Sequence, residues 1–211
     1  NYNALVTGSS GAGKSFLNNC ILLQYLTQKP LVYVIDIGGS YRKLCEFLGG
    51  QYIEMTPPAD AHKTAPALNP FLLPTGVQAP SPQKIKFLLS LLETIFEEPG
   101  SSEKLTKLDK SMLEEAIDQT YKRLLPQMPT LSDFIKTLES ATGQYAMRLR
   151  EFAKMLYPWT GSRPYGQKLD SNSTMSLNSD FVVFDLKGLS SYPDLQAVML
   201  LIITDFILGQ I

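Results

Sequence analysis

Histidine is almost missing from this chain. His62 is the only one, set in a Pro/Ala/Thr-rich stretch, so no metal site built on several histidines is available and His62 reads as a loop residue. Cysteine is scarce too: Cys20 and Cys45 both lie among apolar residues and read as small core hydrophobes in a reducing compartment, not as a disulfide or metal pair. Neither sign of charge dominates, with 19 basic against 20 acidic residues, so no whole-chain field draws in nucleic acid or an anionic membrane. Long apolar runs are lacking. The richest, Ala197 to Leu208, is interrupted by Thr204 and Asp205 and is too short to span a bilayer, so a buried helix is expected there. No signal peptide opens the sequence, which starts on an expected strand without Met and closes after a helix, the look of a piece of a longer protein.

What is present is a chain of 211 residues, 44% apolar, enough for one large domain or a domain with a sizeable insertion. Near its start, Gly8-Ser9-Ser10-Gly11-Ala12-Gly13-Lys14-Ser15 fits the phosphate-loop pattern G-x-x-x-x-G-K-[ST]. Tyr2 to Thr7 before it has strand length and apolarity. Phe16, Leu17, Cys20, Ile21, Leu23 and Leu26 after it recur with a helical period. In the order strand, loop, helix, the motif has a mechanism. Successive main-chain N–H groups cradle the β- and γ-phosphates of ATP, and the helix beginning near Lys14 adds roughly half a positive charge at its N-terminus. Lys14 is the expected catalytic cation on the terminal phosphates, and the Ser15 hydroxyl the expected ligand of Mg²⁺. The nucleotide contacts are thus expected from Gly8, Ser9, Ser10, Gly11, Ala12, Gly13, Lys14, Ser15 and Phe16. Gly8 and Gly13 are expected to take backbone angles that a Cβ disfavours, with Gly11 keeping the loop wall thin. The loop does not fit the G-x-S-x-G elbow, so serine hydrolase chemistry has no support.

The remainder divides by texture. Leu31 to Ile35 is a continuous apolar run, expected as a strand buried on both faces and ending at Asp36. A helix through Tyr41, Leu44, Cys45 and Leu48 stops at Gly49-Gly50, and Gln51 to Met55 is a further strand. This is βαβ texture and implies a parallel sheet. From Thr56 to Ser81 the chain is loop-like, with prolines at 57, 58, 66, 70, 74 and 80; Asn69-Pro70 starts a turn that Phe71 anchors to a core. From Ser81 to about Tyr157 all is helical, with Ser81-Pro82 as a helix start, a break at Pro99-Gly100-Ser101-Ser102 and a further start at Thr130. Its 11 basic and 11 acidic residues lie off the apolar stripes and read as solvated faces, not a nucleic-acid groove. Phe181 to Asp185 is a second buried strand, and the apolar helix from Leu195 to Leu208 is expected to return over the sheet.

A hydrolysing phosphate-loop enzyme needs an acid at a strand end and usually a glutamate to polarise water. Asp36 and Asp185 end strands, and neither is followed by Glu; Leu186 stands where one would be. Asp36 either faces the nucleotide or caps the next helix. A GTPase reading takes Asp36-Ile37-Gly38-Gly39 as D-x-x-G and Thr106-Lys107-Leu108-Asp109 as the guanine-reading pattern. The first leaves almost no room for a switch loop, and the second lies in a helical stretch with no buried strand to present it.

The ordered set formed by the phosphate loop, Ile35 to Tyr41, Leu48 to Ile53, Leu68 to Phe71, Pro129 to Asp133, Tyr165-Gly166 and Phe184 to Leu189 resembles the motor domain of TraC-like ATPases. These serve conjugation and type IV secretion within the FtsK/HerA group of hexameric motors. The resemblance implies an α/β fold: a RecA-like P-loop NTPase core with a mostly parallel sheet and an all-helical insertion. It implies core at 1–80, insertion at 81–157 and core again at 158–211. It also implies an ATPase in a homo-hexameric parent at the cytoplasmic face of the inner membrane, reached through type IV secretion channel components; from the balanced charge, direct nucleic-acid binding is not expected. In the family the Walker B Asp-Glu pair and the arginine finger come after the helix that ends here near Leu208. Asp185 then belongs to the preceding strand and is demoted as a Mg²⁺ acid, and the fragment alone is expected to turn ATP over poorly. A docking module using the helical insert, and a DNA pump of the same superfamily, are the alternatives.

Overall fold

The computed structural model describes residues 3–57, 67–74, 76–77, 79–97, 104–163, 165–172 and 175–209. His62, Pro58, Pro66, Tyr2 and the break at Pro99 to Ser102 lie outside them. The chain forms two compact units: 1–55 with 176–190, and 56–175 with 191–211.

The first unit is a parallel sheet with helices. Helix α1 spans Lys14–Leu26, strand β1 Val32–Asp36, helix α2 Arg42–Phe47 and strand β2 Gln51–Glu54; strand β3, Phe181–Asp185, arrives from far along the sequence. The strand order is β1-β3-β2, all parallel, so βαβ texture does give a parallel sheet. β3 is central and every one of its five residues is buried, as its unbroken Phe-Val-Val-Phe run requires. β1 differs from expectation. Its five residues are only half-buried, because it is paired on one side alone among the described residues.

In register, Val34, Val183 and Tyr52 share one face with Asp36, Asp185 and Glu54. Cys45 of α2 packs on that face with Phe181 and Val183, and Tyr41 and Leu44 complete the cluster. Both cysteines are free, Cys45 fully buried and Cys20 partly so, as a small-hydrophobe role requires.

The expected first strand is absent: residues 3–7 form no strand and have no ladder partner among the described residues, and Leu5 is 88% exposed. Apolarity supplied the side chains of a strand, but a strand also needs a ladder partner, and the sheet order β1-β3-β2 takes none from residues 3–7.

The second unit is helical. Its elements are α3 (Pro82–Phe96), α4 (Lys107–Leu124), α5 (Leu131–Glu139), α6 (Ala146–Leu156), a 3₁₀ turn at Tyr157–Trp159, the short α7 (Gly166–Leu169) and α8 (Pro193–Leu208). Three of the starts are set by side chains. Ser81 accepts from the Lys84 N–H, and Thr106 with Asp109 and Thr130 with Asp133 form reciprocal capping boxes. α5 packs on α4 and α6, and α3 packs on α4 and α8. The long apolar helix α8 therefore belongs with the helical unit, and a Lys84–Asp205 ion pair of 2.7 Å joins it to α3. The loop after Thr56 belongs there too. Asn69 accepts the Phe71 N–H and donates to Pro129 O, and the Phe71 ring, 1% exposed, packs against Tyr121 and Phe134. Phe71 is thus the anchor its sequence position suggested. Among the described residues no helix is long and apolar enough to cross a membrane.

Candidate functional site: the phosphate loop and the strand ends

The loop at Gly8–Ser15 turns sharply into α1. Ser9 O accepts the Ala12 N–H at 3.2 Å, and Gly11 and Gly13 adopt φ of +80° and +84°. These angles are open to glycine and costly to residues with a Cβ. The division of labour differs from the one read in the sequence. Gly11 joins Gly13 in needing positive φ. Gly8 does not, and a Cβ there would meet Ala12 Cβ at 3.4 Å, an ordinary contact.

α1 begins at Lys14, with Gly13 as its N-cap, no side-chain cap and no acid in its first turn. An uncapped helix N-terminus without a nearby acid is of the kind that favours an anion. The Lys14 ammonium folds back on the loop and donates to Gly8 O and Ser9 O, both at 2.7 Å. Ser15 is exposed at the second residue of α1, and Phe16 is 74% exposed. The structure thus gathers Gly8 to Phe16 on one loop-to-helix turn.

At the C-terminal ends of the strands, where open parallel sheets bind ligands, three acids stand in register: Asp36, Asp185 and Glu54. Each is engaged within the protein. Asp36 accepts the N–H groups of Gly38 (3.0 Å) and Ser40 (2.6 Å). Asp185, 2% exposed, accepts the Tyr52 hydroxyl and the Lys187 N–H. Glu54 pairs with Arg42 at 3.1 Å. Burial pushes the Tyr52 phenol far above its ordinary pKa, and its bond to Asp185 pushes the same way, while Arg42, 4.5 Å over the ring, works against both. Tyr52 thus keeps its proton and serves Asp185 as a hydrogen-bond donor. Among the described residues no group of three His, Cys, Asp or Glu side chains could hold a metal ion.

Tyr52 and Arg42 were not singled out in the sequence. The signal was there: Tyr52 stands two residues before Glu54, hence on the same sheet face. The guanine-reading match at Thr106 to Asp109 is the capping box of α4. Asp109 is 5% exposed and held by Thr106 and by Arg148 at 3.0 Å, so its carboxylate is not free to read a base.

A family model for the TraG P-loop domain matches residues 1–211. The chain belongs to that family. It is 29% identical over 205 residues to Protein TraC of Escherichia coli (strain K12), which covers 92% of this chain and 22% of TraC. VirB4 of Thermoanaerobacter pseudethanolicus superposes with a TM-score of 0.76 at 22% identity, over 95% of this chain and 54% of that one. The likeness to TraC-type motors read from the ordered motifs is borne out, and with it the α/β P-loop NTPase fold. The chain spans about a fifth of TraC and about half of the VirB4 chain.

Proposed function

We propose that this chain is the nucleotide-binding part of an ATPase motor that powers type IV secretion or conjugative transfer. Membership of the TraG P-loop family supports the class. The observation that carries the chemistry is the turn itself: two glycines at positive φ delivering Lys14 to the first position of an uncapped helix.

Gly8 to Phe16 wrap the triphosphate tail of ATP with main-chain N–H groups. Lys14 exchanges the neutral carbonyls of Gly8 and Ser9 for phosphate oxygens, a stronger, charge-assisted contact. The Ser15 hydroxyl would be a ligand of the Mg²⁺ that accompanies the nucleotide. Mg²⁺, when bound with ATP, would supply charge neutralisation on the phosphates. The chain's own part is to bind and orient those phosphates. Neither strand-end aspartate, Asp36 or Asp185, is followed by a glutamate, and these 211 residues alone turn ATP over slowly.

In the parent, residues 1–80 and 158–211 contribute to the motor core and 81–157 are inserted in it, with 56–80, 158–175 and 191–211 packed in the same compact unit as the inserted helices. The motor works as a homo-hexamer at the cytoplasmic face of the inner membrane, held there by channel components of the secretion machine. Calorimetry of Mg-ATP binding tests the reading. Wild type binds with preference for ATP over GTP, and Lys14→Ala weakens binding by about 1.5–3 kcal/mol. Equal affinities for wild type and Lys14→Ala contradict it.

A further inference from the structure

The face of α1 that carries Ser15 is held from outside the phosphate loop. Ser15, Asn18 and Asn19 are spaced i, i+3, i+4 and so line one helix face. Asn18 Nδ2 donates to the Tyr41 hydroxyl at 3.3 Å, and Asn19 Nδ2 reaches Ser40 O at 3.5 Å. The carbonyl oxygen of the Asn19 side chain is buried with no hydrogen bond among the described residues, so its NH₂ end is the anchored one. Both acceptors belong to the loop leaving β1, and that loop is shaped by one side chain. Asp36 Oδ1 takes the Gly38 N–H and Oδ2 takes the Ser40 N–H, which closes residues 36–40 into a tight turn. The turn leaves little slack: a Cβ on Gly38 would stand 3.3 Å from Ser40 Oγ and 3.6 Å from Asp36 Oδ1.

We propose that Asp36 is a positioning residue for the phosphate-loop helix, acting through Ser40 and Tyr41 on Asn19 and Asn18, and not a ligand of the nucleotide's metal. The inference rests on the nucleotide-binding reading above and extends it to a residue outside the loop. A carboxylate whose two oxygens each hold a main-chain N–H of its own turn is oriented by that turn. Its negative charge strengthens both bonds, and the turn in turn sets where the Ser15 face of α1 lies. Loss of Asp36 therefore acts on affinity without touching the metal.

The test is a Mg²⁺ titration of ATP-analogue binding to the 211-residue chain, with hydrogen exchange of the α1 amides measured on the same proteins. Asp36→Ala lowers affinity about tenfold and Asp36→Asn, which keeps one acceptor oxygen, about threefold, the scale of one lost charge-assisted bond. Neither moves the Mg²⁺ midpoint, whereas Ser15→Ala does. Asp36→Ala also speeds exchange in the first two turns of α1. Tyr41→Phe, a mild change, reproduces part of the affinity loss and is less than additive with Asp36→Ala. A Mg²⁺ midpoint displaced by Asp36→Asn overturns the proposal, as does an Asp36→Ala protein with wild-type affinity and exchange. Wild-type protein that binds no nucleotide defeats the functional reading instead, and the exchange measurement still decides the role of Asp36.

Discussion

The hydroxyl of Tyr52 donates to Asp185 Oδ2 across neighbouring strands, joining β2 to the buried carboxylate at the end of β3. The other oxygen of that carboxylate holds the Lys187 N–H. Asp185 is thus satisfied by a phenol and a main-chain amide, with an arginine over the phenol ring.

Tyr52→Phe removes the donor and leaves a buried carboxylate oxygen short of a partner, which costs about 1–3 kcal/mol of stability. Asp185→Asn combined with Tyr52→Phe costs less than the two single changes summed, because both act on one bond. Urea denaturation of the four proteins reads this directly, and strict additivity would show the bond to be energetically idle.

The two kinds of glycine in the phosphate loop separate by substitution. Gly13→Ala and Gly11→Ala force a Cβ into positive φ at about 1–2 kcal/mol each, and Mg-ATP affinity falls with the loop's shape. Gly8→Ala meets only an ordinary contact and keeps affinity within a few-fold. Calorimetry on the three variants checks the ranking.

That contrast marks how far the sequence reached. The spacing of Gly8 to Ser15 located the turn, because the motif encodes a loop-to-helix junction. It could not say which glycine turns left-handed, since that depends on where the chain enters. Tyr2 to Thr7 carried the apolarity of a strand, but a ladder partner is not written in the segment itself. The composition of α8 required burial, and only packing assigned it to α3. The helix starts at Ser81 and Thr130 were legible because a cap is a local device. Thr106 to Asp109 shows the reverse: four residues with a functional look whose spacing is that of a capping box.

Asp109 and Asp133 give the fold a pH dependence. Burial pushes each carboxyl up. The bonds from Arg148 and Thr106 in the first case, and from Lys136 and Thr130 in the second, outweigh it and leave both below the usual carboxylate value. A depressed acid stabilises above its unfolded pKa of about 3.9 and loses that contribution as pH falls through the folded value. Stability therefore drops below about pH 4, and Asp109→Asn flattens the drop while lowering stability at neutral pH. Chemical denaturation between pH 6 and pH 2 measures both.

Lys168 is 8% exposed, and its ammonium donates to Thr56 Oγ1 at 3.2 Å, a neutral partner. Burial lowers its pKa, so the charged form is disfavoured in the folded state and stability rises as pH climbs toward the unfolded value. Lys168→Met, of similar length and without charge, raises Tm by about 2–4 °C per kcal/mol gained. A lowered Tm in scanning fluorimetry contradicts this.

The claim on which the rest turns is that the Gly8–Ser15 loop holds the phosphates. Backbone NMR of the 211-residue chain, titrated with a non-hydrolysable ATP analogue and Mg²⁺, reads it residue by residue. The largest shifts fall on the amides of Gly11 to Phe16, and in Lys14→Ala they need about 10–150-fold more nucleotide. Saturable binding that moves other amides and leaves this loop unchanged would contradict the account.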